Sequence, residues 1–330
     1  MCPMHKTCVA CPGTISIKPR HLVCFFAPHT PTALHFVSSF PRSSSSPGAA
    51  TMTLRSLAVL AVVLVTLSQA ASVKPWLDDK FNTDGNVRTG YDASGQQVVT
   101  LSLDQHSGAG FNSDEQYLYG EFSIQMKLIP GNSAGTVSCF YLSSGDGDGH
   151  DEIDMEFMGN SSGPGHPVVL NTNVWVNGDG KKEHQFDLWF DPAADYHTYT
   201  IIWNPENILF KVDNLFIRSF KRFAGIPYAG SKPMRLHATL WDGSYWATEK
   251  GKVPIDWSNA PFNVLYKNYY ANACASGGAC HAGSDGWMNR QLDGSEWGTV
   301  KWAEQNYMRY NYCADGYRFP QGFPAECSRY

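Results

Sequence analysis

The chain has 330 residues and a formal net charge of −5, and 17% of its residues are charged while 13% are aromatic. This length suits one large β domain or two smaller domains. Residues 1–71 contain no acidic residue, so the rest of the chain carries 20 Lys plus Arg against 30 Asp plus Glu, or about −10. That negative balance argues against nucleic acid and anionic membranes as partners.

A segment near the N-terminus has the pattern of a secretory signal. Arg55 precedes an apolar run at residues 57–67, and small residues follow the run. The run is too short to span a bilayer, which needs about 20 residues. We therefore expect residues 52–70 to be a signal peptide that is cleaved after Ala70.

The position of this segment predicts that residues 1–51 are an upstream extension without a structural role and that Met52 is the initiator. A transit peptide is the alternative, because the region has a serine run and lacks acids. Asn160 begins an Asn-Ser-Ser sequon, which in a secreted protein predicts a surface glycan. The cysteine pattern described below also favours secretion.

Short apolar or alternating segments separated by Gly, Asn, Asp and Pro recur from about residue 87 onward. They are residues 97–103, 119–128, 137–142, 168–176, 197–203, 208–212 and 234–240. Closely spaced strands of this kind predict a sandwich or a barrel. Residues 296–307 have a helical period and predict one amphipathic helix. We expect a jelly-roll sandwich of two antiparallel sheets at 71–262, followed by an extension at 263–330 that contains the helix.

Acidic and apolar residues alternate along one of these strands. The alternating residues are Glu152, Ile153, Asp154, Met155, Glu156 and Phe157. On a strand the acids share one face and the apolar residues share the other, which faces the core. Repulsion among three carboxylates should raise one pKa and keep that group protonated near neutral pH.

A protonated carboxyl beside a carboxylate is what a retaining glycosidase requires. Glu152 and Glu156 are the natural pair. Their Cα atoms would be about 13 Å apart at the usual strand rise, so the side chains must lean together on a concave sheet. Ten tryptophans and sixteen tyrosines fit an aromatic-lined groove, because sugar rings stack on such side chains.

Other interpretations of the acidic segment are an edge strand that carries acids for solubility and a calcium loop. Asp146, Asp148 and Asp151 lie close together in a glycine-rich stretch. An EF-hand would need a ligand at 150 and glycine at 151, where this chain has His150 and Asp151. A looser calcium site stays open.

Four cysteines near the C-terminus predict two disulfides in an oxidising compartment. They are Cys274, Cys280, Cys313 and Cys327, and local pairing, Cys274 with Cys280 and Cys313 with Cys327, is the simplest of three connectivities. A zinc site is disfavoured because it usually shows tighter spacing. Cys139 stands alone, and we expect it to be buried.

The segment His-Asp-Glu-Ile-Asp-Met-Glu-Phe-Met-Gly-Asn, followed by its sequon, resembles the signature of plant xyloglucan endotransglucosylase/hydrolases of glycoside hydrolase family sixteen. The similarity runs from about residue 110 to residue 327. It includes Leu-Trp-Phe-Asp-Pro, Ile-Trp-Asn-Pro, Trp-Ala-Thr, Asp-Trp-Ser-Asn-Ala-Pro-Phe and Arg-Phe-Pro-Gln-Gly. The resemblance implies a concanavalin-like jelly-roll that acts without a cofactor or metal as a monomer. It also implies location in the cell wall and apoplast.

By the same resemblance, the substrates are a xyloglucan donor and a xyloglucan or oligosaccharide acceptor. Glu152 matches the nucleophile, Glu156 the acid/base and Asp154 a supporting residue. The positions that match sugar contacts are Asn171, Thr172, Asn173, Lys181, Lys182, Glu183, Tyr245, Trp246, Gly251 and Arg318.

The chain departs from the family pattern at Met155, Met158 and Asn171, at Tyr245, and at Lys250, which replaces the first of two glycines. These last three changes bear on sugar contacts and acceptor preference. The short loop around Trp246 favours transfer over hydrolysis. The alternatives are a hydrolase of xyloglucan or mixed-linkage β-glucan, and a non-catalytic glucan-binding module, against which the intact row of acids argues.

Overall fold

The computed structural model describes residues 75–160, 167–276 and 286–329. The strands are β1 (Phe81–Tyr91), β2 (Gln97–Leu103), β3 (Ala109–Ser113), β4 (Tyr117–Lys127), β5 (Thr136–Ser143), β6 (Glu152–Met158), β7 (Val169–Trp175), β8 (His184–Asp187), β9 (His197–Trp203), β10 (Asn207–Val212), β11 (Leu215–Lys221), β12 (Arg235–Asp242), β13 (Phe262–Ala275) and β14 (Met308–Asn311).

Helix α1 (Gly294–Tyr307) follows β13, and short 3₁₀ helices cover Trp257–Asn259, Tyr312–Ala314 and Ala325–Ser328. A short turn, Ala247–Gly251, follows β12. Within the described ranges no helix combines the length and apolar character that crossing a membrane requires. The predicted upstream extension and signal peptide lie outside the described residues, so both remain predictions.

The strands form two antiparallel layers, which confirms the predicted jelly-roll. The front sheet has the order β3-β12-β5-β6-β7-β8-β14, and the back sheet has the order β11-β10-β9-β4-β13-β2. Strand β1 joins them, because Phe81 to Gly85 pair with β3 while Asn86 to Tyr91 pair with β2. Gly85 lies at the changeover with φ of 69°, where an added Cβ would approach the Gly108 carbonyl oxygen to 2.1 Å. Only glycine suits this close approach.

Aromatic side chains from both sheets fill the layer between them. The rings of Phe157 on β6 and Tyr199 on β9 are 4.6 Å apart, in an edge-to-face arrangement. Those of Phe111 on β3 and Tyr266 on β13 are 5.5 Å apart in the same arrangement. All four residues are buried. Edge-to-face pairs of this kind add to the stabilisation that burial of the rings provides.

All seven strand segments predicted from the sequence are strands, with ends that differ by at most two residues. The acidic strand predicted separately is β6, and the strands that the sequence did not predict are β1, β3, β8, β11, β13 and β14. Most side chains of β1 are exposed, so that strand has no apolar alternation to reveal it. The predicted helix is confirmed as α1, and a reciprocal capping box between Asp293 and Glu296 starts it. Its predicted amphipathic character is not confirmed, because apolar and polar residues are not separated onto opposite faces and Val300 and Ala303 are its buried residues.

The C-terminal region is joined to the sandwich by the pairing of β13. Strand β13 starts where the predicted extension does, and it pairs with β2 and β4, so residues 263–275 belong to the back sheet. The remaining domain limits stay predictions.

The predicted disulfide between Cys313 and Cys327 is present. Cys274 is also in a disulfide, while its predicted partner, Cys280, lies outside the described residues. Cys139 is buried on β5, as expected.

The packing predicts that Phe157→Ala lowers the free energy of unfolding by about 3–5 kcal/mol, because a large buried ring is removed. Tyr91→Ala is the matched control, since Tyr91 is 63% exposed at the end of β1. Its effect should stay below about 1 kcal/mol. Denaturant unfolding of both variants checks this, and equal losses would contradict the assignment of Phe157 to the core.

Candidate active site

The three acids of β6 lie on the face of the front sheet that points away from the core. Ile153, Met155 and Phe157 alternate with them and are 0–1% exposed in the core. The predicted division of the strand into an acidic and an apolar face is therefore confirmed. Strands β5 and β7 flank β6 on both sides, so the acids lie well inside the sheet and not at its edge. The interpretation as an edge strand is wrong.

Cross-strand partners place polar side chains around the acids, because directly paired residues share a face. On β7, Asn171 pairs with Glu156 and Asn173 pairs with Asp154. On β5, Tyr141 pairs with Asp154 and Cys139 pairs with Glu156. Tyr141 stacks in turn on His237 of β12, with ring centroids 4.8 Å apart.

Glu156 has the environment of a carboxyl that is protonated near neutral pH. Burial raises the pKa of Glu156 to about 7, the hydrogen bond from Asn171 lowers it, and the charges of Glu152 and Glu183 raise it. The Asn171 Nδ2 atom donates to Glu156 Oε2 at 2.7 Å. Glu152 and Glu156 thus share one face of one strand, and the raised pKa keeps the carboxyl of Glu156 protonated at mildly acidic pH.

A groove of about 790 Å³ is lined in part by Asn171, whose side chain donates to Glu156, while the three acids of β6 are not among its lining residues. Strand β8 and the turn before it supply Gln185 and Glu183. The C-terminal region supplies Arg309, Tyr310, Asp315, Tyr317 and Arg318, and the turn after β12 supplies Trp246, Thr248, Glu249 and Lys250. The groove therefore joins β7 and β8 to two segments that are distant from these strands in the chain.

The C-terminal wall of the groove is held by ionic and hydrogen-bond contacts. Arg318 donates from Nη1 to Glu183 Oε2 at 2.7 Å and from Nη2 to Glu183 Oε1 at 3.0 Å. Arg318 Nη1 also lies 3.1 Å from the Tyr310 hydroxyl, which donates to Asp315 at 2.8 Å. A two-point contact between guanidinium and carboxylate fixes geometry better than a single ion pair. The wall is thus ordered before substrate arrives.

The turn Ala247–Gly251 forms the opposite side of the groove in an unusual conformation. Thr248, Glu249 and Lys250 have φ of 38°, 54° and 59°. Such left-handed backbone costs about 1–2 kcal/mol for each non-glycine residue. Thr248 Oγ1 compensates by accepting from the Gly135 N–H at 2.7 Å and donating to the Gly159 carbonyl at 3.2 Å. Strain that surrounding contacts maintain is typical of functional sites.

The groove brings together four of the ten predicted sugar-contact residues, namely Asn171, Glu183, Trp246 and Arg318. Tyr245 is 67% exposed, and its ring is 6.5 Å from that of Trp246. Gly251 supports the turn, since its φ is 82° and an added Cβ would lie 2.6 Å from the Tyr245 carbonyl oxygen. Lys181 is exposed in the loop after β7.

Thr172, Asn173 and Lys182 make internal contacts. Thr172 pairs with Met155 and lies on the core face of β7, so the expectation that its side chain faces the groove is corrected. Asn173 Oδ1 accepts from the Val174 and Lys182 N–H groups. Lys182 Nζ donates to the carbonyls of Asp179 and Gly180, at 2.7 and 3.0 Å. Its ammonium group is therefore used to hold the turn, which corrects its expected place among the sugar contacts.

Sequence reasoning missed the groove residues Gln185, Arg309, Tyr310, Asp315 and Tyr317. Tyr310 enters the site because β14 pairs with β8, where it lies opposite Gln185. Neither strand has an apolar pattern that reveals it from sequence. The pairing of these two short strands was the missing information.

The acidic loop before β6 is closed by a lysine. Lys232 Nζ donates to Asp151 Oδ1 at 2.9 Å, to the Gly149 carbonyl at 2.6 Å and to Asn177 Oδ1 at 2.6 Å. The ammonium group thus occupies oxygen ligands that a calcium ion would need. Within the described ranges no cluster of His, Cys, Asp or Glu is arranged to hold a metal ion.

The chain matches two protein-family descriptions. Residues 78–259 match Glycosyl hydrolases family 16, and residues 282–327 match the xyloglucan endo-transglycosylase C-terminus. Among solved structures, the chain is similar to a β-glucanase of Bacillus licheniformis, with a TM-score of 0.45, 23% identity, and coverage of 59% of this chain and 92% of that one.

Two plant proteins cover most of the chain. "Xyloglucan endotransglycosylase/hydrolase protein 8" of Oryza sativa subsp. japonica is 60% identical, over 83% of this chain and 98% of its own length. "Putative xyloglucan endotransglucosylase/hydrolase protein 13" of Arabidopsis thaliana is 46% identical, over 85% and 99%. The chain is therefore an enzyme of glycosyl hydrolases family 16 and belongs to its xyloglucan endotransglycosylase/hydrolase group.

Proposed function

We propose that this enzyme cuts the backbone of xyloglucan and transfers the glycosyl fragment to another xyloglucan chain or oligosaccharide by double displacement. The observation that carries the proposal is the pairing of Glu152 with Glu156 on one face of β6, with the pKa of Glu156 raised to about 7. The names of the similar plant proteins support xyloglucan as the substrate.

In the first step, Glu152 attacks the anomeric carbon as that carbon's bond to the leaving glycosidic oxygen breaks. Glu156 gives its proton to that oxygen, so the leaving chain departs with a neutral hydroxyl. The product is a glycosyl ester on Glu152, and Glu156 is left as a carboxylate.

The second step reverses these roles. Burial is the main cause of the raised pKa of Glu156, and the negative charge of Glu152 adds to it. Esterified Glu152 carries no charge, so this added repulsion is lost and the carboxylate of Glu156 is favoured. Glu156 then takes the proton of an acceptor hydroxyl, whose oxygen attacks the anomeric carbon and displaces Glu152. Asp154, which lies between the two glutamates on the same face, is the supporting residue beside the nucleophile.

Transfer is favoured over hydrolysis by a groove that shares Asn171 with the proposed acid/base. Asn171 donates to Glu156 and also lines the groove, so we assign the leaving chain and the acceptor to this groove. A sugar bound there places its hydroxyl close to the ester and excludes water. Hydrolysis of xyloglucan or mixed-linkage glucan is the alternative, because the same carboxylates serve it.

Secretion to the cell wall and apoplast is part of the proposal. The Arg55 and apolar pattern before Ala70, the sequon at Asn160 and the disulfide between Cys313 and Cys327 all fit an oxidising, extracellular compartment. We further propose that the enzyme acts as a monomer and without a cofactor, since both carboxylates act without metal.

Incubation of protein beginning at Ala71 with xyloglucan and labelled xyloglucan oligosaccharides tests the reaction. We expect label to enter polymer without a matching rise in reducing ends. Glu152→Ala should lose at least about 10³-fold in rate because the nucleophile is gone. Reducing ends without label would identify a hydrolase. If folded protein gives neither signal, xyloglucan is excluded as the substrate.

The pH dependence tests the role of Glu156, whose proton is needed in the first step. Activity should fall as pH rises through about 7, the pKa of Glu156. Asn171→Ala removes a hydrogen bond to the carboxylate, which should move this alkaline limb upward by about one pH unit.

Glu183→Gln provides a control of opposite sign, because the negative charge of Glu183 raises the pKa of Glu156. Its alkaline limb should move downward. The measurement is kcat/KM against pH for wild type and both variants. If wild type and both variants have the same alkaline limb, the assignment of Glu156 as the acid is contradicted.

The secretory proposal predicts a mature N-terminus at Ala71 in protein that plant cells release into the medium. N-terminal sequencing of the released protein checks this. A matched variant, Ala70→Arg, should slow cleavage because signal peptidase requires a small residue at this position. If the wild-type chain is instead found inside an organelle, with its N-terminal region removed, the transit-peptide alternative is supported.

A further inference from the structure

Arg218 lies on β11 in the back sheet, and its side chain enters the layer between the sheets. The residue is 2% exposed and pairs with Phe210 of β10, a core residue. The guanidinium carbon lies 5.5 Å from the ring centroid of Phe210 and 6.0 Å from that of Phe220. A cation in such an apolar layer is costly unless hydrogen bonds compensate. The contacts that compensate indicate what the residue does.

These contacts are with the strand and turn behind the active site. Arg218 Nη1 donates to the Thr172 carbonyl at 2.7 Å and to Thr172 Oγ1 at 2.9 Å. Arg218 Nη2 donates to the Lys182 carbonyl at 2.5 Å. Thr172 belongs to β7, and Lys182 belongs to the turn before β8. The rigid guanidinium therefore holds two backbone segments of the front sheet in one geometry.

Both segments carry groove residues. Thr172 separates Asn171 and Asn173, whose side chains lie on the face of the acids. Asn171 holds Glu156, and Asn173 Oδ1 accepts from the Lys182 N–H at 3.1 Å. A shift of β7 by a fraction of an ångström would thus change the contact with Glu156.

We propose that Arg218 is a positioning residue for the reaction, holding β7 and the turn before β8 from the core side so that Asn171 stays in contact with Glu156. This rests on the proposed function, because it takes Glu156 to be the acid/base. Arg218 does not line the groove. Its hydrogen bonds reach the site through Thr172 and Lys182.

Several titratable or charged groups surround Glu156. They are Glu152 and Asp154 on β6, Tyr141 and Cys139 on β5, and Glu183 with its partner Arg318. Arg218→Lys leaves all of them in place and also retains the positive charge at residue 218. It removes the ability to hold both carbonyls and the Thr172 hydroxyl together. A changed pH profile in this variant therefore reports a changed contact between Asn171 and Glu156.

The experiment compares kcat/KM against pH for wild type, Arg218→Lys, Asn171→Ala and the double variant. We expect Arg218→Lys to move the alkaline limb upward by about half a pH unit, since a weaker hydrogen bond raises the pKa of Glu156. The double variant should match Asn171→Ala, because the effect of Arg218 passes through Asn171.

Ile217→Val is the matched control for a purely structural role. Ile217 is a fully buried neighbour of Arg218 on β11. This control should lower the melting temperature and leave the alkaline limb where wild type has it. An Arg218→Lys variant that behaves in the same way would overturn the proposal, as would additive shifts in the double variant.

If the alkaline limb of kcat/KM moves in neither Asn171→Ala nor Arg218→Lys, Glu156 is not the acid. The proposed function and this inference then both fail. Should Arg218→Lys fail to fold, Thr172→Val removes one acceptor and retains the volume of the side chain. It should shift the limb in the same direction by a smaller amount. An unchanged limb in folded Thr172→Val protein would likewise overturn the proposal.

Discussion

Strand β6 has an acidic face and an apolar face, and the rest of the structure depends on the apolar face alone pointing into the core. A slip of one residue in register would turn Glu152, Asp154 and Glu156 into the core and expose their apolar neighbours. Full-length pairing with β5 and β7 prevents the slip. The contact of Phe157 with Tyr199 adds an anchor from the back sheet. The same packing that stabilises the sandwich therefore aligns the carboxyl groups.

Around this strand, the groove is assembled from segments that are distant in sequence. Thr248 bridges Gly135, just before β5, and Gly159, just after β6, so the strained turn is fastened to both sides of the acidic strand. The pair of Glu183 and Arg318 joins residues that are 135 positions apart. These contacts convert an open sheet face into a bounded channel, which is what a polysaccharide acceptor needs in order to compete with water.

The sequence predicted what depends on local pattern. Alternation located the acids and most strands, and strict alternation would also have placed Thr172 on the core face, opposite Asn171. It did not reveal β1, whose side chains are exposed on both faces. Nor did it show that the ammonium of Lys182 turns back to its own loop, or that Arg218 crosses the core. Those arrangements follow from tertiary packing and leave no periodic signal in the chain.

The disulfide between Cys313 and Cys327 encloses the segment that contains Asp315, Tyr317 and Arg318. This part of the groove is thus held by a covalent loop at the surface, while the acids are held by the core. The two halves of the site therefore depend on different chemistry. A reducing compartment would remove the covalent closure and leave this wall to its ionic and hydrogen-bond contacts. Under the proposed function, the redox state of the compartment therefore bears on whether water or sugar completes the reaction.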